Sequence, residues 1–237
     1  MNKRNNIFLI VTFCIAVLMV CINYYEDVFS YAHGEEKAEV VSNVSDSYEY
    51  TGSSYIELNG NEPDFTGVDG SKAFESYSEL DTLGRAGVAL ASVGQDLMPV
   101  EKRGSIGMIK PSGWHTIKYD NVDGKYLYNR CHLIAYQLTG ENANVKNLIT
   151  CTRQMNTKGM IEFENKVASY VKKTNNHVLY RVTPVYEGDN LLAMGVRIEA
   201  LSVEDQGKGV KFNVFVFNVQ DNIEIDYATG DSKLKEE

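Results

Sequence analysis

The chain has 237 residues, 43% of them hydrophobic and 23% charged, with a formal net charge of −9. That length supports one core of ordinary domain size once the chain ends are set aside. Four cysteines with no C-x-x-C spacing, beside only four histidines, exclude a cysteine-rich zinc site.

The amino terminus stands apart from that core. Lys3 and Arg4 precede an apolar run from Ile7 to Ile22 broken only by Thr12, so residues 1–25 read as a signal peptide or a membrane anchor. Ser30-Tyr31-Ala32 presents small residues at the two positions a signal peptidase reads, but Glu26 and Asp27 separate it from the run. The positive residues favour an anchor with its amino terminus inside. Cys21 follows Val20, which is too large for the residue that precedes a lipidated cysteine. Either reading puts the rest of the protein outside the cytoplasmic membrane, secreted or anchored on its outer face.

Residues 26–54 are acidic, rich in Glu and Ser and short of periodic apolar positions, and are expected to form a flexible tether. The folded domain is expected over 55–230. Asn59-Gly60-Asn61-Glu62-Pro63 predicts a turn. Strand candidates follow at Gly87–Ser92, Trp114–Tyr119 and Lys125–Asn129, the last two joined by an Asp123-Gly124 turn signal in a hairpin-like arrangement. From Met155 to Lys173 the period changes: Met160, Phe163, Val167, Tyr170 and Val171 recur at helical spacing, while Glu162, Lys166 and Lys172 fall outside the stripe. Thr174-Asn175-Asn176 should end that helix. Strand character returns over His177–Tyr186, Leu191–Val203 and Val210–Val219. In the last, apolar residues on both faces predict a strand covered on both sides. Residues 231–237 are expected to be a charged tail.

Charge is unevenly distributed. Residues 24–80 carry 13 acids and 2 bases, residues 81–185 carry 8 acids and 14 bases, and residues 186–237 carry 11 acids and 5 bases. The basic middle is where a polyphosphate substrate would need it.

That middle segment holds Tyr128-Asn129-Arg130-Cys131-His132-Leu133-Ile134 and, after it, Asn147-Leu148-Ile149-Thr150-Cys151-Thr152-Arg153-Gln154-Met155-Asn156. One histidine follows a strand-like run and one asparagine, 24 positions later, heads a helix. Hydrolysis of a phosphodiester needs a base to activate water and a cation to neutralise the phosphate and the departing oxygen. A histidine suits the first task. An asparagine oxygen is a neutral, hard ligand that leaves most of an Mg²⁺ shell to water and substrate. Glu164, eight positions after Asn156, falls on roughly the same side of the helix. Arg85, Arg130 and Arg153 are candidate phosphate ligands through the guanidinium fork, Arg130 also as a residue that orients the loop. Lys102 and Arg103 extend the basic track. His115 and His177 read as structural. Cys131 and Cys151 are either a disulfide of an exported domain or two small buried thiols.

These motifs resemble the DNA/RNA non-specific endonucleases of the ββα-metal (His-Me finger) type, particularly exported and DNA-entry nucleases of bacteria. The resemblance spans roughly Tyr55 to Gly230 and is strongest between Lys125 and Lys173. It implies an α+β fold with a central antiparallel sheet flanked by helices. It also implies His132 as general base, Asn156 as the direct ligand of Mg²⁺ (with Mn²⁺ as a substitute), and Glu164 in support of the metal-bound waters. The implied activity is metal-dependent hydrolysis of DNA, and of RNA, to 5′-phosphate products with little sequence preference. Asn129 and Cys131 depart from the Asp-Arg-Gly-His pattern of the best-known members, which bears on the loop that aims His132. Other readings of the same residues are a module that binds or takes up DNA without cutting it, and a secreted nuclease toxin with an immunity partner.

Overall fold

The computed structural model describes residues 39–41 and 48–236. The expected signal or anchor at 1–25 lies outside them. Among the described residues no helix is long and apolar enough to cross a membrane.

The fold is α+β. Its main sheet runs in the order β2 (Tyr55–Glu57), β9 (Lys211–Phe217), β8 (Gly195–Ser202), β7 (Val178–Glu187), β4 (Ala89–Val93), β3 (Phe74–Tyr77), with every neighbouring pair antiparallel. A short strand β1 (Glu39–Val41) pairs in parallel with Val185–Glu187 of β7. A separate antiparallel pair, β5 (Tyr128–His132) and β6 (Leu148–Thr152), leads through a π-turn at Met155–Met160 into helix α2 (Ile161–Thr174). The one-turn helix α1 (Tyr136–Thr139) lies between β5 and β6. A last hairpin joins β10 (Ile223–Ile225) to β11 (Ser232–Leu234).

The alternation of the strands explains how these parts pack. Val178, Tyr180 and Val182 of β7 alternate with Leu179, Arg181 and Thr183. The first set joins Val196, Ile198, Ala200, Phe212, Val214 and Val216 in one core with Phe163, Val167 and Val171 of α2 and with Cys131 and Cys151. The opposite face is covered too. Phe215 and Phe217 pack with Tyr48, Ile56 and Leu58, and the buried Glu199 accepts from Arg181 Nε at 2.9 Å and from the Asp64 amide at 3.1 Å. β9 is therefore covered on both sides, as its sequence predicts.

Helix α2 ends where its sequence says it should. Asn175 adopts a left-handed conformation (φ 59°) and its N–H returns to the Val171 carbonyl, while Lys172 and Lys173 complement the helix dipole. Gly159 in the π-turn sits tightly against β9: a Cβ there would meet Val216 Cγ1 at 2.4 Å. The helix entry can approach the sheet only with glycine at this point.

Four expectations are corrected. The tether assigned to 26–54 yields at two places, since residues 39–41 are a strand on β7 and Tyr48 stacks against Phe215 with ring centroids 4.3 Å apart. The tail assigned to 231–237 begins as strand β11, where backbone pairing overrides a charged composition. Trp114–Tyr119 is not a strand: its hairpin with Lys125–Asn129 reduces to the Lys118–Tyr126 bridge and the bonds around it. Lys125–Asn129 is displaced along the chain to Tyr128–His132, because β5 takes β6 as its partner.

Phe163 is buried between Tyr55 and Phe212, at centroid distances of 4.9 and 5.0 Å. Phe163→Ala is expected to cost about 3–5 kcal/mol, read from urea unfolding at unchanged m value; a loss under about 1 kcal/mol would show that α2 is not held by this contact.

Candidate active site

A cleft of about 660 Å³ opens beside the β5–β6 pair, and His132, Asn156, Glu164, Arg103, Arg130 and Arg153 all line it. The cleft follows from local structure. His132 is the last residue of β5, opposite Leu148. The chain beyond it is clamped by Asn147: Leu133 N–H donates to the Asn147 carbonyl at 2.9 Å, and the Asn147 side chain accepts from Ile134 N–H and donates to the Ile134 carbonyl. On the other strand, Thr152 Oγ1 accepts from Met155 N–H at 3.0 Å and so caps the helix that presents Asn156.

His132 is held as one tautomer. Nε2 lies 2.8 Å from the Asn142 carbonyl, which can only accept, so Nε2 carries the proton. Nδ1 lies 3.2 Å from Arg103 Nη2, which can only donate, so Nδ1 presents its lone pair. Gly140, left-handed at φ 70°, ends α1 and turns the chain towards Asn142. Burial pulls the imidazole pKa down to about 4; the bond to Asn142 opposes that shift, and the Arg103 charge adds to it. The ring is therefore neutral at neutral pH.

Glu164 is shifted in the opposite direction. It is buried, and desolvation pushes its pKa up to about 7 against the pull of Arg103. The carboxylate has no hydrogen bond or ion pair within the described residues. Its position on the cleft depends on the π-turn: one extra residue brings position +8 from Asn156 to roughly where +7 lies on an uninterrupted helix.

The three predicted arginines separate. Arg85 is not at the cleft. It is buried, pairs with Asp81 at 2.6 Å, donates to the carbonyls of Gly188 and Asn190 and lies over the Tyr186 ring. Its expected place at the substrate is corrected, because it does not line the cleft and its Nε and Nη1 are occupied far from the motif. Arg130 lines the cleft but is spent on loop architecture: its guanidinium stacks 3.8 Å over Trp114 and donates to the carbonyls of Ile109 and Gly107. Arg153 also lines the cleft, and among the described residues its side chain is held by an exposed pair with Asp123 at 2.8 Å, a contact weak enough to exchange for a phosphate.

Arg103 is the group whose place the sequence did not reveal. It lies 29 positions before His132, in a loop with no periodic pattern, and reaches the site because Arg130 and Tyr136, whose hydroxyl donates to the Glu101 carbonyl, pin that loop over the cleft. The two other described histidines lie elsewhere: His115 contacts the Thr229 carbonyl and His177 pairs with Glu204. Cys131 and Cys151 sit diagonally across β5 and β6, Cα atoms 5.8 Å apart, and form a disulfide.

The donors suit a hard divalent cation bound through few protein ligands. Asn156 offers a neutral oxygen, and Glu164 is a buried carboxylate facing the same cleft with no ion pair among the described residues. No group of three or more His, Cys, Asp or Glu side chains at metal-binding separation occurs among the described residues, so water and substrate would complete the shell.

Comparison with known proteins bears on the family and the fold. The profile of the DNA/RNA non-specific endonuclease family matches residues 66–204. A deoxyribonuclease of Streptococcus dysgalactiae subsp. equisimilis is 36% identical over 110 residues, 44% of this chain and 32% of the relative, so the chain spans about one third of that protein's length. Magnesium-bound NucA from Streptococcus agalactiae superposes with a TM-score of 0.68 at 26% identity, over 90% of this chain and 97% of NucA. The Sda1 nuclease with bound zinc superposes at 0.57 with 30% identity, over 69% and 81% of the two chains. The fold is that of the ββα-metal nucleases.

The opposite shifts of His132 and Glu164 have separable effects on stability. With a pKa raised from 4.5 to about 7, Glu164 favours the fold below pH 4.5 and loses that contribution as pH rises through 7. With a pKa lowered from 6.5 to about 4, His132 contributes above pH 6.5 and loses that contribution as pH falls through 4. In chelator, Glu164→Gln should therefore be more stable than wild type at pH 8.5, on the order of 2–3 kcal/mol, and lose that advantage near pH 4.5. Thermal unfolding at the two pH values checks this; an equal difference at both would contradict it.

Proposed function

Because the chain belongs to the DNA/RNA non-specific endonuclease family, we propose that it is a metal-dependent endonuclease that hydrolyses phosphodiester bonds of DNA, and of RNA, to 5′-phosphate products. The observation that carries the reading is a neutral imidazole whose Nδ1 lone pair is turned into a cleft shared with Asn156 and Glu164.

His132 removes a proton from the attacking water at Nδ1. The Asn142 carbonyl keeps the opposite nitrogen protonated and stabilises the imidazolium that results. Arg103, which donates to Nδ1 in the free protein, transfers its guanidinium to the substrate phosphate and so uncovers the base. Arg153 exchanges its exposed bond to Asp123 for a second phosphate contact. Arg130 holds the loop that carries Arg103. When bound, Mg²⁺ (with Mn²⁺ as a substitute), held by Asn156 Oδ1 and by waters that Glu164 orients, supplies charge neutralisation at the phosphate and the departing 3′ oxygen. Burial disfavours the ionised form of Glu164 and a nearby cation would favour it, so proton and metal would compete for it.

Nothing in the cleft resembles a module that reads base edges, in keeping with low sequence preference. The apolar run from Ile7 to Ile22 behind Lys3 and Arg4 supports activity outside the cytoplasmic membrane, with the chain secreted or anchored there.

Cleavage of supercoiled plasmid by the full-length protein, with Mg²⁺ or with chelator, tests the proposal. Wild type is expected to nick only with metal. His132→Ala should lose about 10²–10⁴-fold in rate, Asn156→Ala should fall comparably, and Arg85→Lys should keep the wild-type rate per folded molecule. Full activity in His132→Ala, or DNA binding by wild type without cleavage in Mg²⁺ and Mn²⁺, would overturn it, the latter in favour of a binding module.

A further inference from the structure

Cys131 and Cys151 are fully buried sulfurs that the proton transfer does not use, yet each adjoins a support of the site. Cys131 immediately precedes His132. Cys151 immediately precedes Thr152, whose hydroxyl caps the helix bearing Asn156. The Cys131 sulfur also lies 3.4 Å from Asn156 Oδ1. A covalent link between these two positions joins the strand of the base to the entry of the helix that offers the metal ligand.

We propose that the Cys131–Cys151 disulfide is a positioning element of the site, which sets His132 and the Asn156 oxygen in their working arrangement and makes metal affinity and cleavage depend on the oxidised state. The inference rests on the nuclease reading above. Two physical differences separate the redox states. A disulfide holds β5 and β6 together at one diagonal pair, with Cα atoms 5.8 Å apart and within the usual range for such a bond. Two thiols must move apart in an interior that is already packed. The second difference is electronic. A disulfide sulfur carries no proton, so the lone pairs of Asn156 Oδ1 stay available to a cation; a Cys131 thiol would put an S–H donor against that same oxygen. Formation is by thiol–disulfide exchange: the two thiols give two protons and two electrons to an oxidant bearing its own disulfide, which leaves as a dithiol.

The test uses the full-length protein. Peptide mapping after alkylation in denaturant, without reductant, is expected to find Cys131 and Cys151 unmodified; free thiols at both in protein that cleaves DNA would overturn the proposal. Mn²⁺ affinity, read from the paramagnetic resonance of the free ion, and plasmid cleavage are then compared in wild type, Cys151→Ala and the double variant Cys131→Ala/Cys151→Ala, each shown folded by circular dichroism. Cys151→Ala is expected to bind Mn²⁺ about 10-fold or more weakly and to lose a similar factor in kcat at unchanged KM. The double variant, which has no S–H donor, is expected to recover part of that affinity. If the variants do not fold, wild type before and after phosphine reduction supplies the same comparison. Folded Cys151→Ala with wild-type affinity and kcat overturns this inference alone. Oxidised wild type that binds Mn²⁺ without cutting overturns the nuclease reading, while its affinity relative to Cys151→Ala still decides the positioning claim.

Discussion

The hydrogen bond from His132 Nε2–H to the Asn142 carbonyl, 2.8 Å long, is the constraint on which the chemistry of this site depends. It chooses the tautomer, and with it the nitrogen that can accept a proton. A buried imidazole without this partner would be free to turn its N–H towards the cleft, where it could not serve as a base. The bond exists because three local features converge: β5 delivers His132 at its end, Asn147 clamps the two residues that follow, and Gly140 turns the chain so that the Asn142 carbonyl faces the ring. None of these is an exposed contact that solvent could replace.

Burial then sorts the two titrating groups of the cleft. The same loss of water that lowers the His132 pKa raises that of Glu164, because each is pushed towards its neutral form. In the proposed reaction the neutral form of the histidine is the working one, and the neutral glutamate is a resting form that a cation would displace. Arg103 stands between these demands: it covers Nδ1 of His132 and its charge favours the Glu164 carboxylate, which is why the proposed mechanism has an arriving phosphate draw it away and expose Nδ1.

Much of this was legible in the chain because the decisive groups are close in sequence and carried by regular elements. The period of Met160, Phe163, Val167 and Val171 marks helix α2, the Asn175 cluster marks its end, and two-sided apolar patterning marks β9. The family resemblance then joined His132 to Asn156 and Glu164, all three of which line the cleft. What escaped depends on long-range contacts. Arg85 and Arg103 have similar local surroundings, each beside glycine in a loop, yet one is buried under Tyr186 and the other reaches His132. Strand β1 and strand β11 lie in polar stretches whose pairing is decided by a partner's free edge rather than by their own propensity. The π-turn has no composition signal. It arises where a helix must pass close to β9 at Gly159 and still present Asn156 and Glu164 to one cleft.

The most direct measurement is the ¹⁵N resonance of the His132 imidazole followed through a pH titration of the metal-free protein. The account predicts a protonated Nε2, a bare Nδ1 and no change in charge until the pH approaches about 4. A ring protonated on Nδ1, or one that titrates near the ordinary histidine value of about 6.5, would contradict it.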